Sequence, residues 1–188
     1  IKPFIYSAAL ENGFTLATLV NDAPINQWNP GSGIAWRPRN SPDVYEGPIR
    51  VREALAKSKN VVSVRLLRAL GVDTVVNHLT KFGFDYEELP RNESLSLGSA
   101  SMTPLEVARG YAVFANGGYL IEPYFIEKIV NAEDQVVYQA RPKVACLECE
   151  ASTRDVLPAP RVISEQNAFL VTQAMNSAVW GGGSWAHK

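Results

Sequence analysis

The sequence predicts a mixed α and β chain dominated by helices, and three observations carry that expectation. Several apolar-periodic segments end on glycine, two β-prone runs lie either side of a four-residue turn, and one Pro- and Trp-rich stretch shows neither pattern. The first helical segment, residues 2–12, has apolar Phe4, Ile5, Ala8 and Ala9 and a stop at Gly13. Pro3 is tolerable only in a first turn, so this helix is expected to begin just before Ile1. Residues 21–48 read as a long structured loop of the kind that lines clefts, with Trp28, Trp36 and Tyr45 among turn formers. Helical patterns then follow at 49–57, at 60–70 closed by Gly71, and at 73–82 before Gly83.

Thr103-Pro104-Leu105-Glu106 combines an N-cap hydroxyl, a first-turn proline and a capping-box glutamate, opening a helix through Phe114 that ends at Gly117-Gly118. Residues 124–130 and 135–139, joined by 131–134, give the clearest strand signal, a hairpin. Residues 142–160 shift toward Cys, Glu, Ser and Pro, and a linker or an insertion is expected near 146–160. Ser164 caps a last helix through Val179.

A chain of 188 residues, 46% of them hydrophobic, can bury one sizeable core, so one domain or most of one is expected. The net charge of −1 gives no basic footprint for nucleic acid or for an anionic membrane. No stretch reaches the roughly 18 consecutive apolar residues needed to cross a bilayer. The chain opens on Ile1 and reads as a piece of a longer protein. Cys146 and Cys149 suggest a surface disulfide or two free thiols ahead of half a zinc knuckle, because neither His78 nor His187 has ligand spacing to them.

Ser58-Lys59-Asn60 sits between two helical patterns, and Ile1-Lys2-Pro3-Phe4 reads like the tail of a Ser-x-x-Lys motif. A serine hydroxyl needs a nearby base at neutral pH, and a lysine whose proton affinity is lowered by burial can serve. In Ser-x-x-Lys the two residues are three apart on one helix and face the same side, with the serine at the positive end of the helix dipole. Ser58, within reach of Lys2, can relay a proton to a leaving group, and Asn60 can hold both a substrate amide and the lysine. Taken without their neighbours, Ser58 and Asn60 read as a helix-terminus cap pair and Lys2 as a solvated lysine. Lys59 is also read as solvated, Glu106 as a cap, and Arg109 as facing solvent or an ion pair. For Trp28, Trp36, Trp180 and Trp185, packing is favoured over substrate stacking.

The joint order of segments resembles the transpeptidase domain of class A penicillin-binding proteins over nearly the whole chain. The matching pieces are Lys2-Pro3-Phe4 with its helix, residues 40–48, Ala56-Lys-Ser-Lys-Asn60, Leu97-Gly-Ser99, the long run 102–118 and residues 124–129. Lys59 replaces the Asp of Ser-Asp-Asn, and in the penicillin-binding branch that residue points away from the cleft. The resemblance implies an α/β fold of the penicillin-binding transpeptidase and serine β-lactamase kind, an antiparallel sheet flanked by helices, of which this segment holds mainly the helical part. It implies Lys2, Ser58 and Asn60 as catalytic residues and no metal or organic cofactor.

The implied partners are peptidoglycan stem peptides, as D-Ala-D-Ala donor and amine acceptor, and β-lactam antibiotics. A glycosyltransferase domain and a membrane anchor would precede this region and place it on the periplasmic face of a bacterial inner membrane. Two motif elements depart from the family: the nucleophilic serine is expected three residues before Lys2, outside the chain, and the Lys-Thr-Gly strand expected after the last helix does not appear. The chain alone is therefore not expected to acylate. Three rivals stand beside the transpeptidase: a serine β-lactamase with Glu93 as its deacylating glutamate, a D,D-carboxypeptidase, and a non-catalytic penicillin sensor or interaction module.

Overall fold

A computed structural model describes residues 1–28, 35–146 and 157–181. Its centre is helix α1 (Lys2–Glu11), in which Phe4 to Ala9 are all buried. Six consecutive buried residues leave no polar face, so the helix must be enclosed on every side. α1 packs against α2 (Val51–Ala56), α3 (Asn60–Leu70), α4 (Val72–Thr80) and α6 (Glu165–Trp180), and α5 (Pro104–Ala115) packs on α6 and meets α1 at Phe4. Phe4 is the hub of the aromatic core, with the rings of Phe82, Phe84, Tyr111 and Phe114 at 5.0–5.3 Å. Gly110 is required there, because a Cβ at that position would lie 2.9 Å from Phe84 and 3.1 Å from Phe4.

The helix ends follow their sequence signals. Thr103 and Glu106 form the expected capping box on α5, and the Ser164 hydroxyl accepts from the Asn167 amide at the start of α6. The strands depart further from expectation. Residues 21–48 are not one loop: β1 (Leu19–Asp22) pairs antiparallel with β4 (Gly47–Arg50), and β2 (Gln27–Trp28) pairs with β3 (Ala35–Trp36). The helix expected from residue 49 consequently begins at Val51, because Ile49 and Arg50 belong to β4 and pair with Val20 and Leu19.

The expected hairpin is present as β5 (Lys128–Val130) and β6 (Val136–Gln139). Its turn closes on Asn131 Oδ1, which accepts from the amides of Glu133 and Gln135. β7 (Lys143–Val144) and β8 (Leu157–Pro158) form a short parallel pair, and the linker expected between them falls mostly outside the described residues. Cys146 is disulfide-bonded, and Cys149 also lies outside them.

A buried polar chain ties α1 to α4 and α6. Asn167 Nδ2 donates to the Ser7 carbonyl and to Glu11 Oε1, so its Oδ1 faces the Ser7 hydroxyl, which donates to it at 2.7 Å. The Ser7 proton is thereby committed, and His78 Nε2, 2.9 Å from Ser7 Oγ, must be the donor of that contact. Burial, with a smaller contribution from Lys81, pulls His78 down to about 4 and keeps the ring neutral. Below the ordinary histidine value of 6.5 the unfolded chain takes up a proton that the folded chain refuses, so this stabilisation is complete above pH 6.5 and fades toward pH 4. Between pH 7 and about pH 4.5 the loss from His78 is expected to be roughly 2–3 kcal/mol. Urea titrations at the two pH values should show it in the native sequence and show it largely removed in His78→Gln, which keeps a donor to Ser7 without a titrating ring.

Candidate active site

Lys2 stands at the N-terminal end of the buried helix α1, and Ser58 and Asn60 stand at the junction of α2 with α3. Residues 56 and 58 apart in sequence are brought together there. Lys2 Nζ donates to Ser58 Oγ at 2.8 Å, to the Ser58 carbonyl at 2.6 Å and to Asn60 Oδ1 at 2.6 Å. An ammonium has three donors, and all three are matched by acceptors. Burial pulls Lys2 down to about 8, so roughly a tenth of the molecules carry the neutral amine at pH 7. Lys2 is therefore not the solvated lysine of the plain reading.

The cap-pair reading of Ser58 and Asn60 fails as well. Lys59 occupies the N-cap position of α3, and no side-chain hydrogen bond caps that helix. Asn60 instead accepts from Lys2 and donates through Nδ2 to the Arg39 carbonyl at 2.8 Å. Ser58 has φ +53°, in the left-handed region that non-glycine residues seldom occupy. That turn is fixed toward α2 by the Ser58 amide on the Leu55 carbonyl and the Lys59 amide on the Ala54 carbonyl.

Lys59 corrects the expectation of a solvated side chain. It does point away from Lys2, but into the protein: its side chain is 9% exposed, and Nζ lies 3.0 Å from Asp22 Oδ2 and 2.9 Å from Glu46 Oε1. The Asp22 and Glu46 carboxylates lie 37 and 13 positions earlier in the chain, so no local pattern reveals that pairing.

A cavity of about 380 Å³ opens beside the cluster, lined by Lys2, Ser58, Leu55, Tyr111 and Met175 among others. Tyr111 and Met175 are wall residues that the sequence alone did not single out. Their one signal is spacing: Tyr111 follows Val107 and Met175 follows Val171 by one helical turn, which sets each on the inward edge of its helix. Tyr111 meets Phe4 edge-on at 5.1 Å, and burial raises its hydroxyl above the ordinary tyrosine value.

Other candidate residues resolve as structure. Glu93 is held by Arg68 through two hydrogen bonds of 2.5 and 2.7 Å. Arg68 lies about 12 Å along α3 from Asn60, eight residues at the helical rise, so Glu93 is engaged at the far end of that helix. Arg109 makes an ion pair with Glu122, one of its two expected fates. Trp36 packs with Tyr45 on Ile25, Val61 and Val64, the packing role expected of it. Trp180 ends α6 and is 76% exposed, which is not core packing; Trp28's side chain and Trp185 fall outside what is described. Among the described residues no group of three or more His, Cys, Asp and Glu is placed to hold a metal ion.

Residues 1–188 match the family model described as the penicillin binding protein transpeptidase domain. The chain belongs to the penicillin-binding protein transpeptidase family. It is 52% identical over 194 residues to penicillin-binding protein 1A of Vibrio cholerae, covering 99% of this chain and 24% of that protein. Identity to penicillin-binding protein 1A of Escherichia coli is 55% over 150 residues, 80% of this chain and 18% of the relative. The crystal structure of penicillin-binding protein 1A from Haemophilus influenzae superposes with a TM-score of 0.89 at 46% identity, covering 96% of this chain and 29% of that one. The chain thus spans about a quarter or less of the curated relatives it matches. The α/β transpeptidase fold expected from the motifs is the one found.

Proposed function

We propose that residues 1–188 are part of a transpeptidase domain that cross-links peptidoglycan stem peptides through an acyl-serine intermediate and is blocked by β-lactams. The observation that carries this reading is the Lys2 amine within hydrogen-bond reach of both Ser58 and Asn60 beside an open cavity, in a chain of this family. The nucleophile of the proposal is a serine three positions before Lys2, which this chain does not include. Its Oγ attacks the carbonyl carbon of the penultimate D-Ala, and Lys2 as neutral amine takes the hydroxyl proton. As the peptide C–N bond breaks, the proton passes from Lys2 through Ser58 Oγ to the departing D-Ala nitrogen.

An amine of a neighbouring stem peptide then attacks the ester, and the serine leaves with its proton restored along the same path. Asn60 holds Lys2 and offers its amide to the substrate. The domain assignment, the linker near 146–160, a preceding glycosyltransferase domain and anchor, and a position on the periplasmic face of the inner membrane belong to the same proposal. Among the described residues no helix is long and apolar enough to cross a membrane.

The test is to supply the full-length protein with a stem peptide ending in D-Ala-D-Ala and an amine acceptor, and to follow D-Ala release and cross-linked product separately. Cross-linked product supports the transpeptidase, and release with hydrolysis alone supports the carboxypeptidase. A stable acyl-protein with neither product supports a sensor. Rapid turnover of penicillin would favour the β-lactamase, against which stands Glu93's engagement with Arg68.

A further inference from the structure

We infer that Asp22 is a positioning residue for acyl transfer: its buried carboxylate, acting through Lys59, holds the Ser58–Asn60 turn so that Ser58 Oγ faces Lys2. The inference rests on the proposed role of Ser58 as proton relay. Asp22 ends β1 and is fully buried, where a carboxylate is tolerated only if its acceptor sites are filled. Oδ1 accepts from Asn40 Nδ2 at 2.7 Å, and Oδ2 accepts from the Glu46 amide at 3.1 Å and from Lys59 Nζ at 3.0 Å. Lys59 Nζ completes its set on Glu46 Oε1 at 2.9 Å and the Val44 carbonyl at 3.1 Å. Its three donors are thereby matched, as Lys2's are on the other side of the same turn.

The same group reaches past Lys59. Asn40, oriented by Asp22, accepts the Val61 amide on its Oδ1 at 3.2 Å, in the first turn of α3 directly after Asn60. The backbone carbonyl of Arg39, its neighbour, accepts from Asn60 Nδ2. Asp22 therefore stands behind the turn at Lys59 and, through Asn40, at Val61, while Ser58 and Asn60 face Lys2 from the opposite side. A left-handed serine persists only when its surroundings over-determine it, and the α2 side supplies two backbone bonds. On the α3 side the Lys59 side chain is one anchor and the Asn40 contact to the Val61 amide is the other. Without the Asp22 charge, a cation with 9% of its side chain exposed loses one of two carboxylate partners and turns toward solvent, and Ser58 Oγ moves off the Lys2 amine.

The experiment measures acylation of the full-length protein by a fluorescent penicillin, recording the first-order rate, the half-saturating concentration, the labelled fraction and the melting temperature. Wild type is compared with Asp22→Asn, Lys59→Met and the double variant. Asp22→Asn is expected to slow the first-order step on the order of tenfold to a hundredfold, as a misplaced reacting group does, with the half-saturating concentration and labelled fraction unchanged. Lys59→Met should slow the same step, and the second substitution should add little to it, because an asparagine at position 22 keeps an Oδ1 to accept from Asn40 and loses only the charge that acts through Lys59.

A wild-type rate in Asp22→Asn overturns the inference, and so does an equal slowing by Asp22→Asn in both backgrounds. If Asp22→Asn does not fold, the comparison passes to Lys59→Met and the double variant, which leaves no lone buried lysine charge. Equal slow rates at full labelled fraction then support the Lys59 anchor through which Asp22 acts, and a wild-type rate in the double variant overturns the inference. Wild-type protein that takes no label at all removes the functional reading itself, a result distinct from an active wild type with indifferent variants.

Discussion

Lys2→Arg in the full-length protein is expected to lower the penicillin acylation rate on the order of a thousandfold, near the middle of the range for loss of a general base. Arginine keeps the positive charge and can still donate to Ser58 and Asn60, so the melting temperature should change little. It cannot surrender a proton at accessible pH, and the proposed reaction needs the neutral amine. The pH dependence separates this account from a merely electrostatic one. Burial sets Lys2 at about 8, so the wild-type rate should climb with pH through about 8 to a plateau, following the unprotonated fraction. The residual rate of Lys2→Arg should be flat across that range. An arginine variant within a few-fold of wild type, or a wild-type rate that falls as pH rises through 8, would remove Lys2 as the base.

Ser58→Ala is expected to slow acylation on the order of a hundredfold or more by deleting the proton relay, with folding preserved. Folding should survive because Lys2 keeps the Ser58 carbonyl and Asn60 Oδ1 as acceptors, and the turn keeps its backbone bonds. Ser58→Gly sharpens the reading. Left-handed backbone at φ +53° costs a serine or an alanine about 1 kcal/mol that glycine does not pay, so the glycine variant should melt no lower than the alanine variant. Both should be equally slow. A stopped-flow labelling series across wild type, Ala and Gly reads this directly, and a Gly variant with near-native rate would leave the hydroxyl without a part in the chemistry.

What the sequence made legible was whatever depends on neighbours along the chain. The Thr103 to Glu106 capping box, the Ser164 cap and the Asn131 to Gln135 turn are all local hydrogen-bonding patterns, and each appears as expected. The pairing of β1 with β4 was not legible, since Leu19 to Asp22 meet partners some 25 or more positions away and carry no turn signal of their own. The burial of Lys59 was hidden for the same reason: nothing beside it in the sequence indicates that Asp22 and Glu46 converge on it.

Lys2, Ser58 and Asn60 were legible as a group only through the order of motifs, because residue types alone read as caps and surface charge. The structure supplies what that order lacked: the contacts among the three, and the half-buried setting that depresses Lys2. The cavity wall at Tyr111 and Met175 depends on how α5 and α6 pack beside α1, which local periodicity suggests as an inward face but cannot aim at a particular site.

The most direct test of the acyl-serine account is to label the full-length protein with a fluorescent penicillin, digest it, and map the adduct by mass. The account predicts one covalent adduct, on a serine three residues before Lys2, abolished by prior incubation with an unlabelled β-lactam. An adduct on Ser58, or none at saturating penicillin in folded protein, would contradict it.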